Sequence, residues 1–260
     1  MALRFVLLAA LLPGLFGCSA GAACDGPAAA NPCSRVLFIG NSFTYENDLP
    51  ATFTALAQSG GHRVVTAMLA DGGATLADHV ASADTAATLT GSRWDVVVLQ
   101  EQSEIPSVAQ FRQQQMYPAA RSLVQQVEAV RARPMLFMTW AHQAGWPENG
   151  LPGFAAMQDQ IDLGYRTIAV ELGVPMAPVG PAWLELAHAS PALSLFQADG
   201  VHPNAAGTYL AACVFYLTLF RQSPEGLAAP DGVPSDVALI LQRAAAVTVL
   251  GNPAEWNLAD

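Results

Sequence analysis

The sequence predicts an α/β protein, a three-layer α/β/α sandwich built on a five-stranded parallel sheet. Three observations lead there. Five short apolar runs, rich in β-branched residues, alternate with segments of helical spacing, the pattern that places helices on both faces of a parallel sheet. Three polar blocks with the residue types for chemistry, at 40–42, 71–75 and 100–103, each come just after one of those runs, so they collect at one edge of the sheet. Finally, 260 residues with 52% hydrophobic and 12% charged content suit a single domain with a large core and exclude a disordered chain.

Taken in order, Val-Leu-Phe-Ile at 36–39 has the length and branching of a buried strand. Gly40-Asn41-Ser42 breaks it, and a helix with Leu49, Phe53, Leu56 and Ala57 on one face runs to Gly60-Gly61. A second strand is expected over 63–69. The Gly-rich turn Asp71-Gly72-Gly73-Ala74-Thr75 then opens a helix ending near Leu89. The third strand, 95–99, is a continuous β-branched run and leads into Gln100-Glu101-Gln102-Ser103. A helix over 114–131, a strand over 134–139, a loop rich in Gly, Pro and Trp over 140–153 and a helix over 154–172 come next. A short fifth strand at 174–177 and helices over 181–188, 203–221 and 235–249 complete the chain, with right-handed crossovers between the parallel strands.

The net charge of −10, carried against eleven arginines and no lysine, excludes nucleic acid as a partner, because no basic stripe exists to neutralise phosphates. Residues 1–17 read as an export signal, with Arg4 ahead of an apolar stretch too short to span a membrane. The segment ends Leu15-Phe16-Gly17-Cys18, which resembles a bacterial lipobox and makes Cys18 a candidate lipidation site; the plainer reading is ordinary cleavage after Ala20 or Ala23. The expected organisation is a lipoprotein-type signal peptide over 1–17, an Ala/Gly/Pro-rich tether over 18–34, and one folded domain with a C-terminal helix over 35–260. Either route exports the protein, to the bacterial cell envelope (periplasm or outer membrane) or beyond it. Membrane contact is expected only through the lipid. In that oxidising setting Cys24 and Cys33 are a candidate disulfide, while Cys213, in an apolar helix, reads as buried. No pair of cysteines or histidines has metal-ligand spacing, so neither metal nor cofactor is expected.

Ser42 sits in a strand-to-helix connection, where free helix amides can hold a developing oxyanion. Taken alone it could merely cap the helix. Far along the chain, Asp199-Gly200-Val201-His202-Pro203-Asn204 precedes a helix whose first turn accepts Pro203. A carboxylate three residues before a histidine in a tight turn can meet one ring nitrogen and leave the other outward, the orienting pair that a nucleophilic serine needs.

Together these blocks resemble the SGNH, or GDSL-like, hydrolase superfamily, whose fold is flavodoxin-like. Gly40-Asn41-Ser42-Phe43 resembles its first block, with asparagine in place of the familiar aspartate, and Gly72-Gly73-Ala74-Thr75 its second. Residues 199–202 resemble the last block. The third block departs: Gln100-Glu101-Gln102-Ser103 replaces Gly-x-Asn-Asp. The resemblance implies a Ser42–His202–Asp199 triad and an oxyanion hole from the amides of Ser42 and Gly73 and one glutamine side chain, Gln102 by gapless match or Gln100. It implies a serine esterase acting on small acyl esters, O-acetyl groups on carbohydrate being the first expectation; a glycan-binding protein without catalysis, or a lipase or thioesterase for longer chains, remain open. Asn41, Trp140, Trp146 and His142 are candidate substrate-binding residues, the tryptophans as a sugar-stacking wall or as core plugs. His79 reads as a helix-face residue, and Glu101 and Glu104 as solvated loop carboxylates.

Overall fold

The computed structural model describes Cys24 and residues 32–258. In chain order, strand β1 (Cys33–Gly40) is followed by the short helix α1 (Ser42–Tyr45), helix α2 (Leu49–Ser59) and strand β2 (Arg63–Ala70). Helices α3 (Leu76–Ala81) and α4 (Ala83–Gly91) lead to β3 (Val96–Leu99). Then come α5 (Ala109–Phe111), a wide π-type turn over Arg112–Met116, α6 (Tyr117–Ala129) and β4 (Arg133–Met138). A two-residue ribbon, β5 (Gly145–Trp146) with β6 (Leu151–Pro152), precedes α7 (Gly153–Leu172), β7 (Met176–Pro178), α8 (Val179–Ala189), α9 (Ala205–Phe220) and α10 (Ser235–Gly251).

The main sheet has five parallel strands in the order β2-β1-β3-β4-β7. Successive strands are therefore added in opposite directions on the two sides of the β1–β3 boundary, the switch point at whose carboxyl edge an open α/β sheet leaves a crevice. Side chains alternate along each strand. Phe38 of β1 and Phe137 of β4 both meet Phe215 of α9 edge-on, at 5.2 and 5.0 Å, and Phe53 of α2 joins them. On this side α2, α9 and α10 pack together, and α3, α6 and α7 pack together on the other. Helix α9 is apolar almost all round because α10 covers the side that the sheet does not. There the Gln242 side chain donates to Tyr209 Oη at 2.7 Å.

Three local differences from the sequence reading have physical causes. The expected single helix after Gly73 breaks at Ser82, whose extended backbone lets its hydroxyl accept the Thr85 N–H and start α4 afresh. The helix expected from residue 114 passes through the π-type turn, where the Tyr117 N–H reaches back to the Arg112 carbonyl; Pro118 next to it has no N–H to donate, and the widened turn accommodates that loss. Pro203 lies outside α9, since Asn204 is the cap and accepts the Gly207 N–H at 3.0 Å. At the other end of the chain, β1 takes in Cys33 and Ser34. Cys33 is disulfide-bonded to Cys24, with a Cα–Cα distance of 5.4 Å. The signal segment and Cys18 lie outside the described residues.

Candidate active site

Strand β1 ends at Gly40, and α1 starts two residues later with Ser42. A Cβ on Gly40 would stand 2.3 Å from Gln100 Oε1 and 2.5 Å from Thr44 Oγ1, so only glycine lets the turn close this tightly. The Asn41 side chain caps α1 by accepting the Phe43 N–H and donates to the Ala74 carbonyl at 2.9 Å, tying the first turn to the second.

His202 arrives on the turn before α9. Gly200 has φ +68°, the left-handed conformation this reversal requires. Asp199 Oδ1 accepts the N–H groups of Val201 and His202 at 2.9 and 3.0 Å, and Oδ2 meets His202 Nδ1 at 2.6 Å. An ionised carboxylate only accepts, so Nδ1 carries the proton and Nε2 keeps its lone pair. Ser42 Oγ lies 3.0 Å from that Nε2. The bond from His202, with the Val201 amide, holds the Asp199 carboxyl at about 2, so it is charged throughout the neutral range. Two further bonds join the serine and histidine segments: Asn47 Nδ2 donates to the Pro203 carbonyl at 2.8 Å, and Gln197 Nε2 to Glu46 at 2.9 Å.

These groups open onto a cleft of about 360 Å³ lined by Ser42, Gly73, Gln102, Ser103, His142 and His202 among others. Gly73 has φ +73°. The Ser42 and Gly73 N–H groups carry no hydrogen bond to another described residue. The arrangement brings a hydroxyl, a lone-pair imidazole nitrogen and unspent donors to one hollow, the parts needed for acyl transfer.

Neither a protein-family model nor a curated protein matches the chain. Solved structures do. A DUF4886 family protein from Bacteroides uniformis ATCC 8492 superposes with a TM-score of 0.70 at 21% identity, covering 85% of this chain and 96% of its own. An acetylxylan esterase from Geobacillus stearothermophilus gives 0.54 at 18% identity, over 70% and 92%. Such identities show a shared fold. A protein from Slackia heliotrinireducens, described as a candidate SGNH hydrolase, reaches 31% identity with a TM-score of 0.59, over 71% of this chain and 97% of its own. The chain belongs to the SGNH hydrolases.

In this SGNH hydrolase the two glutamines of the third block are placed differently. Gln100 is fully buried. Its Oε1 accepts the Asn41 N–H and the Thr44 hydroxyl, and its Nε2 donates to Asn41 Oδ1 and the Glu101 carbonyl, at 2.7 to 2.9 Å. With both ends committed, Gln100 braces the Ser42 turn from below and is not an oxyanion donor. Gln102 Oε1 accepts the N–H groups of Glu104 and Ile105 at 2.8 and 3.2 Å. That fixes the amide's orientation and leaves Nε2 with one long contact, 3.5 Å to Ser103 Oγ, on a residue that lines the cleft.

Of the candidate substrate contacts, His142 lines the cleft. Its Nε2 meets Ser103 Oγ at 3.0 Å, and burial pushes its pKa below the ordinary histidine value, which favours the neutral ring. Trp140 does not reach the cleft. It is fully buried, stacked at 4.3 Å on both Phe43 and Trp183, and its Nε1–H holds the Val201 carbonyl at 3.0 Å. Flat aromatic faces gain more by mutual stacking here than by waiting for a sugar, and the ring supports the His202 turn. Trp146, half-buried near Phe111, is outside the cleft lining. Asn41 borders the cleft, but its Oδ1 and Nδ2 serve the first and second turns.

His79 turns inward, its Nε2 on the Gly40 carbonyl at 2.8 Å. Glu101 is the larger surprise. It is fully buried, not solvated. Gln100 and Glu101 continue the run of buried positions of β3, and a strand buried on both faces does not return to water at its first polar residue. That continuity was the available signal. Ser103 gave none, because its role depends on where His142 falls.

Proposed function

We propose that the chain is a serine esterase for small acyl esters, O-acetyl groups on carbohydrate foremost, working through Ser42, His202 and Asp199. The supporting observation is the unbroken line from Asp199 Oδ2 through His202 to Ser42 Oγ, at 2.6 and 3.0 Å, beside the Ser42 and Gly73 N–H groups, which have no partner among the described residues. His202 Nε2 takes the hydroxyl proton as Ser42 Oγ attacks the ester carbonyl. The oxyanion settles among the Ser42 and Gly73 N–H groups and Gln102 Nε2. His202 then gives its proton to the leaving alcohol, water attacks the acyl-serine by the same route, and Asp199 stabilises the imidazolium at each step.

The cleft is short. An apolar hollow lined by Phe154, Trp183, Leu186 and Phe196 shares no lining residue with it, which favours acetyl over long acyl chains. His142 and Ser103 offer polar contacts to a hydroxylated leaving group. Consistent with this, one structural neighbour is an acetylxylan esterase. The exported chain would be held at the cell envelope by lipid on Cys18.

Hydrolysis of acetyl, butyryl and octanoyl p-nitrophenyl esters and of acetylated xylo-oligosaccharides tests the reading. Turnover should fall with acyl length and vanish in Ser42→Ala, while Gln102→Ala should lose about 100- to 1,000-fold in kcat. Wild-type protein as inert as Ser42→Ala on every ester would leave a binding protein.

A further inference from the structure

Glu101 belongs to the third block, and its side chain reaches across to the helix that follows the second. Its Oε1 accepts two backbone N–H groups, that of Leu76 at 3.1 Å and that of Gln102 at 2.7 Å. Leu76 is the first residue of α3, three positions beyond Gly73. Gln102 carries the side-chain donor. One carboxylate oxygen therefore joins the two loops that present oxyanion donors, and the Glu101 N–H is itself anchored on Tyr165 Oη of α7 at 3.2 Å.

For stability alone this is a poor choice of residue. The side chain is fully buried, and its Oε2 has no hydrogen-bond partner among the described residues. A buried carboxylate without a cation is costly, and groups kept in that condition beside a cleft are more often functional than structural. Burial raises the Glu101 carboxyl to about 7, against the opposing pull of the Gln102 and Leu76 amides. The other titratable groups that bear on it are Asp78 of α3, whose charge raises it further, and the Tyr165 phenol of α7. No cation is among them.

We propose that Glu101 is a positioning residue whose carboxylate clamps the Gly73 and Gln102 loops into one oxyanion pocket, so that its ionisation governs turnover. Hydrogen bonds to an ionised acceptor are roughly twice as strong as those to a neutral one. Protonation slackens both loops together, and donors displaced by a fraction of an ångström lose much of their effect on the transition state. The catalytic consequence rests on the esterase reading; the clamp itself does not.

The test is Glu101→Gln, which keeps the shape and one acceptor oxygen but cannot ionise. In wild type the amide proton shifts of Leu76 and Gln102, followed by NMR, should titrate together with a midpoint near 7, and neither should do so in Glu101→Gln. On the acetyl ester, kcat at pH 8 should drop about 10- to 100-fold with KM changed less than twofold. The acid limb of log kcat against pH should lose one of its two ionisations. Combined with Gln102→Ala, the substitution should cost less than it does alone. Amide shifts that titrate independently, or a Glu101→Gln enzyme with the wild-type pH limb, overturn the proposal. Joint titration in a protein inert towards every ester keeps the clamp and removes the esterase reading. Should Glu101→Gln not fold, Ser42→Ala supports the same NMR titration with Glu101 in place.

Discussion

The Glu101 carboxyl titrates at about 7 in the folded protein, against about 4.3 in an unfolded chain. Between those values the folded state holds a proton that the unfolded state has released. The stability contributed by the neutral group is therefore complete below about pH 4 and is lost as the pH rises through about 7, a span of roughly 4 kcal/mol. Glu101→Gln removes this titration. It should match wild type in urea denaturation near pH 4.5 and exceed it by up to roughly 4 kcal/mol at pH 8, the pH at which it turns over more slowly. More stable and less active is a common outcome where a site holds an uncomfortable group. The sequence pointed to Ser42, Asp199 and His202 because local spacing expresses their chemistry. It could not sort Gln100 from Gln102, since the two differ in what lies across the turn from each: Asn41 and Thr44 for the first, the Glu104 and Ile105 amides for the second.

Among the elements, the turn into α9 shows how a boundary can matter to chemistry. Asn204 accepts the Gly207 N–H, and its Nδ2 donates to the Ser194 and Phe196 carbonyls at 2.9 and 3.2 Å. The cap thus fixes both the helix start and the loop leading to His202. Asn204→Ala should cost about 1 to 2 kcal/mol, read as a lower melting temperature, and should also lower kcat, because His202 is only two residues away. Asn204→Asp, which retains the capping oxygen, should recover most of the stability and less of the activity. Proline at a first helical position is so favourable that the sequence placed the start of α9 two residues early. The side-chain bond that decides the boundary is visible only once the Asn204 oxygen is seen pointing at Gly207. The breaks at Ser82 and before Pro118 were hidden in the same way: both residues are compatible with a continuous helix until the geometry of their own turn is known.

Across the whole molecule, the five strands and the principal helices were legible because hydrophobic period and burial agree along β1, β3 and β4. What the period could not tell is which helix covers which. The sequence marks a last helix over 235–249 without a role, and in the structure α10 completes the core by enclosing α9. Leu241, fully buried in α10, lines no part of the Ser42 cleft. Leu241→Ala should cost about 2 to 5 kcal/mol in chemical denaturation while the folded fraction keeps its kcat. The disulfide between Cys24 and Cys33 fastens the incoming chain where β1 begins, whereas Ser42 follows the end of the same strand. A strand of eight residues holds these two points about 25 Å apart. With the proposed lipid anchor on Cys18, the Ser42 cleft would lie at the end of β1 away from that anchor, where a bulky polymer could reach the nucleophile without first passing between the protein and the membrane.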